Sequence, residues 1–302
     1  MAPMPDDRPV LTIGHSPDPD DAFMWWPLGH APAPGDADEP RAPAIDTGAF
    51  RYRALTDDIE ALNRRAIERA DIDATAISAH AYPHVKDRYA VTACGASMGD
   101  GYGPRIVAHE AHDLGWLTRP DVTIAIPGER TTAYLALRLM VGTNVRTRVV
   151  PFHDIIDEVL AGRADAGLVI HEGQLTYAAE GLALIADLGA WWKGETGLPL
   201  PLGLNAVRRD LDDRFGAGSM RGVAGVLHAS VAFAMSQRER GIAYAMGFAR
   251  GVTDAQADEF VRMYVNELTV DMGERGAEAV RALLGAGAAA GLCPDPGPVD
   301  VV

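Results

Sequence analysis

A histidine stands where an apolar run stops. Ala166-Gly167-Leu168-Val169-Ile170 leads straight into His171, and Glu172, Gln174, Thr176 and Tyr177 follow. The carboxyl ends of strands in an open α/β sheet face the ligand crevice. An imidazole placed there titrates near neutral pH and serves as a general base. A histidine that only caps a strand needs no such density of polar groups behind it, so His171 is read as functional.

A second segment, Ile126-Pro127-Gly128-Glu129-Arg130-Thr131-Thr132, has the pattern of a strand end, a glycine turn and a helix start. Free N–H groups at a helix start bind carboxylate or phosphate, and threonine hydroxyls add to them. An ordinary threonine N-cap has the same pattern, and both readings stand. The segment lacks the lysine and spacing of a nucleotide P-loop. Asp18, Asp20 and Asp21 have no matching ligand set for a metal, and are read as a solvated helix N-terminus. The pairs Trp25-Trp26 and Trp191-Trp192 are read as core.

These groups need elements to hold them. Short apolar strands alternate with helices through the first two-thirds of the chain, with strands expected near Val10–Ile13, Phe50–Leu55, Asp73–Ser78, Tyr89–Ala93, Pro104–Ala108, Val122–Ile126, Arg148–Pro151 and Asp165–Ile170. That alternation belongs to parallel α/β sheets. Ala31–Pro43 reads as an exposed insertion, and Gly95–Pro104 as a glycine-rich crossing between domains. From about Met220 to Ala290 the pattern is helical, with breaks expected at Gly241, Gly251 and Gly273 and an amphipathic helix over Asp254–Leu268. The tail from Cys293 reads as irregular. Ala70–Ser78 and Gly162–His171 share one plan: a helix end, an Asp-Ala turn, an apolar strand and a polar group. Two lobes built this way would set Ser78 and His171 across one cleft.

Composition narrows the partners. The 302 residues are enough for two domains, and a formal charge of −15 argues against nucleic acid or an anionic membrane surface. Lys86 and Lys193 are the only lysines, which leaves a Schiff-base mechanism few candidates. Cys94 and Cys293 have neither metal nor redox spacing. The N-terminus lacks a charged-then-apolar leader pattern and no apolar run is long enough to span a bilayer, so the expected location is the cytoplasm.

Taken together, Ser16-Pro17-Asp18-Pro19-Asp20-Asp21-Ala22-Phe23, the 126–132 segment, Ile170-His171-Glu172-Gly173, Leu188-Gly189-Ala190-Trp191-Trp192 and Pro199-Leu200-Pro201-Leu202-Gly203 resemble the 1,4-dihydroxy-6-naphthoate synthase family of the futalosine route to menaquinone. The resemblance implies a two-lobed α/β fold like the type II periplasmic binding proteins, used as a cytoplasmic enzyme. The expected division is residues 1–103 plus 205–302 for one lobe and 104–204 for the other. The implied reaction converts cyclic dehypoxanthine futalosine to 1,4-dihydroxy-6-naphthoate and releases dihydroxyacetone. His171 matches the family's base, while Ala76, Ile77 and Ser78, with Thr131 and Thr132, match its substrate-binding positions. No metal or other cofactor is implied. The expected partner is one small carboxylated substrate, with a homodimer left open. The chain departs from the family's usual Cys and Asn in the first motif, carrying Asp18 and Asp20, and added carboxylates there would oppose an anionic ligand.

Chorismate dehydratase of the same route is the nearest alternative, followed by a solute-binding protein without catalysis. The His-Glu-Gly and Trp-Trp segments favour the lyase.

Overall fold

Eleven strands form two separate sheets in the computed structural model, which describes residues 6–32, 39–248 and 253–302. The first five residues, the middle of the expected insertion and the break expected at Gly251 lie outside them. In chain order the strands are β1 (Val10–His15), β2 (Arg51–Thr56), β3 (Ala74–Ser78), β4 (Tyr89–Val91), β5 (Ser97–Gly99), β6 (Arg105–Ala108), β7 (Thr123–Ile126), β8 (Arg146–Val149), β9 (Ala166–Val169), β10 (Ala183–Asp187) and β11 (Leu200–Arg208). The first sheet runs β2-β1-β3-β11-β4, with β5 also paired to β11, and the second runs β10-β6-β9-β7-β8.

The strands expected from sequence all appear, but the sheets are mixed rather than parallel. β1 lies parallel to β2 and β3, and β7 parallel to β8 and β9. β11 is antiparallel to β3, β4 and β5, because it re-enters the first sheet from the second. β6 is likewise antiparallel to β9 and β10. β5, β10 and β11 are not among the strands expected from sequence. Pro201 and Gly203 weaken the pattern of β11, and the ladder to β5 shifts register between them. The lobe boundary expected after residue 204 falls inside this strand.

The final third is helical, as expected, through Ser219–Ser236, Arg238–Ala245, Asp254–Tyr264 and Gly273–Ala289. Asp254–Tyr264 starts with a capping box of Thr253 and Gln256 and buries Ala257, Phe260, Val261 and Tyr264. It stops at Tyr264, before the expected Leu268, because Asn266 caps a separate short turn. Gly241 does not break its helix. A side chain there would meet the Phe23 ring at 2.4 Å, so glycine serves close packing. The tail is less irregular than expected, since Val91 N–H donates to Asp300 O at 3.0 Å and Val302 N–H to Val91 O at 2.9 Å.

Trp25, Trp26 and Trp192 are core residues, as read from sequence. One apolar cluster joins Ile77 and Leu204 of the first sheet to Ile106, Ile124 and Leu168 of the second, with Val280 and Leu283 of the last long helix. Among the described residues no helix is long and apolar enough to cross a membrane.

Candidate active site

The two sheets meet at a pocket that encloses about 680 Å³ of empty space, its open mouth included. The first sheet supplies Asp18 and Asp20 after β1, Ala76 and Ser78 of β3, and Asn205 of β11. Across from them stand Thr131, Thr132 and Ala133 at the start of the helix Thr132–Val141, and Ile170 after β9.

Strand alternation decides which part of Ala76-Ile77-Ser78 faces the pocket. Ala76 and Ser78 line it, whereas Ile77 is fully buried in the hydrophobic core on the opposite face. Of the three expected substrate-binding positions, Ile77 is the one whose side chain is turned away from the pocket. Ser78 is held from both ends by Asn63, whose Nδ2 donates to Ser78 Oγ at 2.9 Å and whose Oδ1 accepts from Ser78 N–H at 2.8 Å.

Thr131 is the N-cap of its helix, its hydroxyl accepting from Tyr134 N–H at 3.3 Å and donating to Gly128 O at 2.8 Å. Thr132 Oγ1 donates to Leu202 O at 2.6 Å and accepts from His80 N–H at 3.2 Å. Both hydroxyls are thus spent on structure. What the helix start offers a ligand is its first backbone N–H groups, which have no intrahelical acceptor. Of the two readings left open for this motif, the threonine N-cap is present, and the residues of the helix start line the pocket.

His171 lies just behind the pocket wall, which Ile170 forms, and is 8% exposed. Its Nδ1 accepts from Gly173 N–H at 3.0 Å, and Nε2 has no partner at hydrogen-bonding geometry. Glu172 Oε2 is 3.8 Å from Nδ1. Burial lowers the imidazole pKa despite the Glu172 charge, which leaves the ring neutral at neutral pH. Gly173 is required here, because a Cβ would sit 2.7 Å from His171 Cε1 and from Ile156 Cδ1.

The three aspartates are not the solvated helix start expected of them. Asp20 and Asp21 are each 8% exposed, and all three border the pocket. Ser97 Oγ donates to Asp20 at 3.3 Å, Ser16 N–H to Asp21 at 2.8 Å and Ser16 Oγ to Asp18 at 3.1 Å. Burial, reinforced by neighbouring carboxylates, pushes Asp18 well up and Asp20 up to about 7. These raised values shift the carboxyls toward their neutral forms, which reduces the repulsion expected for an anionic ligand. Among the described residues no group of three or more His, Cys, Asp or Glu side chains is placed to hold a metal ion.

The menaquinone biosynthesis family matches residues 11–289. The chain belongs to that family. It is 40% identical over 294 residues to the 1,4-dihydroxy-6-naphthoate synthase of Streptomyces coelicolor, covering 96% of each chain. It is 36% identical to the synthase of the same name from Thermus thermophilus, over 97% of this chain and 99% of that one. The resemblance read from the sequence is borne out. Among solved structures, protein AF1704 from Archaeoglobus fulgidus superposes with a TM-score of 0.82 at 40% identity, covering 94% of this chain and 98% of that one. The alkanesulfonate-binding protein of Xanthomonas axonopodis pv. citri superposes with a TM-score of 0.64 at 14% identity, over 96% of each chain. That likeness bears out the two-lobed periplasmic-binding-protein fold.

Sequence reasoning missed several groups in this menaquinone biosynthesis enzyme. The aspartates directly follow the carboxyl end of β1, and the crevice rule applied at His171 would have placed them too. Tyr264 lines the pocket, and its hydroxyl donates to Gln174 Oε1 at 2.8 Å, tying the last third of the chain to the segment after His171. Asn205 Nδ2 donates to Gly95 O at 2.7 Å, and Gly95 has φ +81° with no room for a Cβ beside that amide. The glycine-rich crossing thus touches the pocket at Gly95.

Proposed function

We propose that this protein is a 1,4-dihydroxy-6-naphthoate synthase, a lyase that converts cyclic dehypoxanthine futalosine to 1,4-dihydroxy-6-naphthoate and dihydroxyacetone. The observation that carries this reading is near-full-length identity to two enzymes of that name. It favours the synthase over chorismate dehydratase and over a solute-binding protein.

The pocket geometry suits the reaction. The substrate carboxylate is assigned to the N–H groups at the Thr131–Thr132 helix start, where the helix dipole favours an anion. Ser78, fixed by Asn63, orients the oxygenated ring, with Ala76 beside it and Ile77 backing the strand from the core. His171 removes the proton, and aromatisation of the product draws carbon–carbon cleavage forward. A neutral imidazole has its lone pair on the nitrogen that accepts, here Nδ1. That nitrogen is occupied by Gly173 N–H, so the base role requires the 171–173 turn to release it as the lobes, residues 1–103 plus 205–302 and 104–204, close on substrate. No cofactor is assigned. We further propose a cytoplasmic location, a small carboxylated molecule as partner, and a homodimer as the assembly to test.

The deciding experiment incubates purified protein with cyclic dehypoxanthine futalosine and identifies the product. Formation of 1,4-dihydroxy-6-naphthoate is expected. Consumption of chorismate instead, or ligand-induced thermal stabilisation without any product, would overturn the assignment.

A further inference from the structure

Two side chains outside the pocket tie its two ligand-binding ends together. Glu60 and Asn63 lie on the helix Ile59–Glu68, three residues apart and therefore on one face. Asn63 is fully buried and grips Ser78 as described; its Nδ2 also lies 3.4 Å from Arg130 O. Glu60 Oε2 accepts from Arg130 N–H at 2.9 Å. Arg130 immediately precedes Thr131, so one helix beside the first sheet holds both the N–H and the C=O of the residue that leads into the opposite helix start. Asp58 accepts from Glu60 N–H at 2.7 Å and fixes the start of the clamping helix.

The turn on the far side is shaped for this contact. A Cβ on Gly128 would lie 2.4 Å from both Cδ and Oε2 of Glu60. The Glu60 carboxyl is tethered by Arg130 N–H, so any side chain at position 128 can enter only by breaking that bond. The other carboxyl oxygen, Oε1, accepts from Arg64 Nε at 3.4 Å, one turn along the same helix.

We propose that Glu60 and Asn63 are positioning residues, a clamp that sets the distance between Ser78 and the Thr131–Thr132 helix start and thereby sets substrate affinity. The inference rests on the reading of those two ends as substrate contacts. Neither clamp residue touches substrate, so the clamp acts on ground-state binding more than on the chemical step.

Steady-state kinetics with cyclic dehypoxanthine futalosine, alongside thermal melting, tests the clamp. Asn63→Ala and Glu60→Ala are each expected to raise KM about tenfold while kcat falls less than about threefold. Glu60→Gln keeps an acceptor for Arg130 N–H and is expected to restore KM to within about threefold of the parent. Gly128→Ala alone should raise KM as Glu60→Ala does, yet add nothing on the Glu60→Ala background, where the shortened side chain leaves room for the new methyl. Should Glu60→Ala fail to fold, Glu60→Gln and Gly128→Ala still carry the comparison. A parent enzyme that turns over while these variants keep KM within twofold, or lose kcat alone in step with melting, would overturn the clamp and leave the function intact. A parent inert toward this substrate would overturn both.

Discussion

His171 is buried behind the wall of the pocket that Asp20 borders, and burial works on the two groups in opposite directions. It lowers the imidazole and raises the carboxyl, so burial pushes each toward its neutral form. Removing a general base commonly costs about 10²–10⁴-fold in rate. His171→Ala is expected to lower kcat by that order while still melting cooperatively, and turnover within tenfold of the parent would remove the base from the mechanism. For Asp20 the sign follows from linkage. Its folded pKa of about 7 lies above the ordinary 3.8, so the folded state binds the extra proton and loses stability as pH rises through about 7. Asp20→Asn is therefore expected to be more stable to unfolding than the parent at pH 8, by about 1–4 kcal/mol, with the gap closing toward pH 4. An equal gap at both pH values would show that the buried charge is not the cause.

At the scale of elements, local signals and packing sometimes disagree, and packing wins. Gly241 reads as a helix break, yet it lies within Arg238–Ala245. Helix propensity alone favours alanine there by about 1 kcal/mol. Overpacking against the Phe23 ring, 2.4 Å from the added Cβ, costs about 1–3 kcal/mol. Gly241→Ala is thus expected to lower the melting temperature, and a rise would show that Phe23 yields without strain. The same competition hid β11, where Pro201 and Gly203 suppress a local signal that pairing with β3, β4 and β5 overrides. β1, β3, β7 and β9 were legible because each is a short apolar run bounded by turn residues, a pattern that depends only on near neighbours.

At the scale of the whole molecule, the sheets are separate but the hydrophobic core is shared. Leu204 and Ile77 pack in one cluster with Ile106, Ile124 and Leu168, and the C-terminal helix closes on both. A Cβ on Gly287 of that helix would lie 3.2 Å from Leu135, on the helix that starts at the pocket. Calorimetry is expected to show a single transition whose calorimetric and van't Hoff enthalpies agree. Two resolved transitions would mean that the lobes unfold independently despite this cluster.

The sequence by itself determined the order of strands and helices through most of the chain, the histidine at a strand end, the threonine cap and the family. Each of these is written in neighbours a few residues apart, where periodicity and capping act. Only the tertiary structure decided that Ile77 turns to the core while Ser78 faces the cleft, and that Asp18, Asp20 and Asp21 border the pocket. It alone brought Asn63 to Ser78 and Glu60 to the turn before Thr131. Those contacts depend on which strand lies beside which and on what burial does to a charge, and neither is set by residues adjacent in the chain.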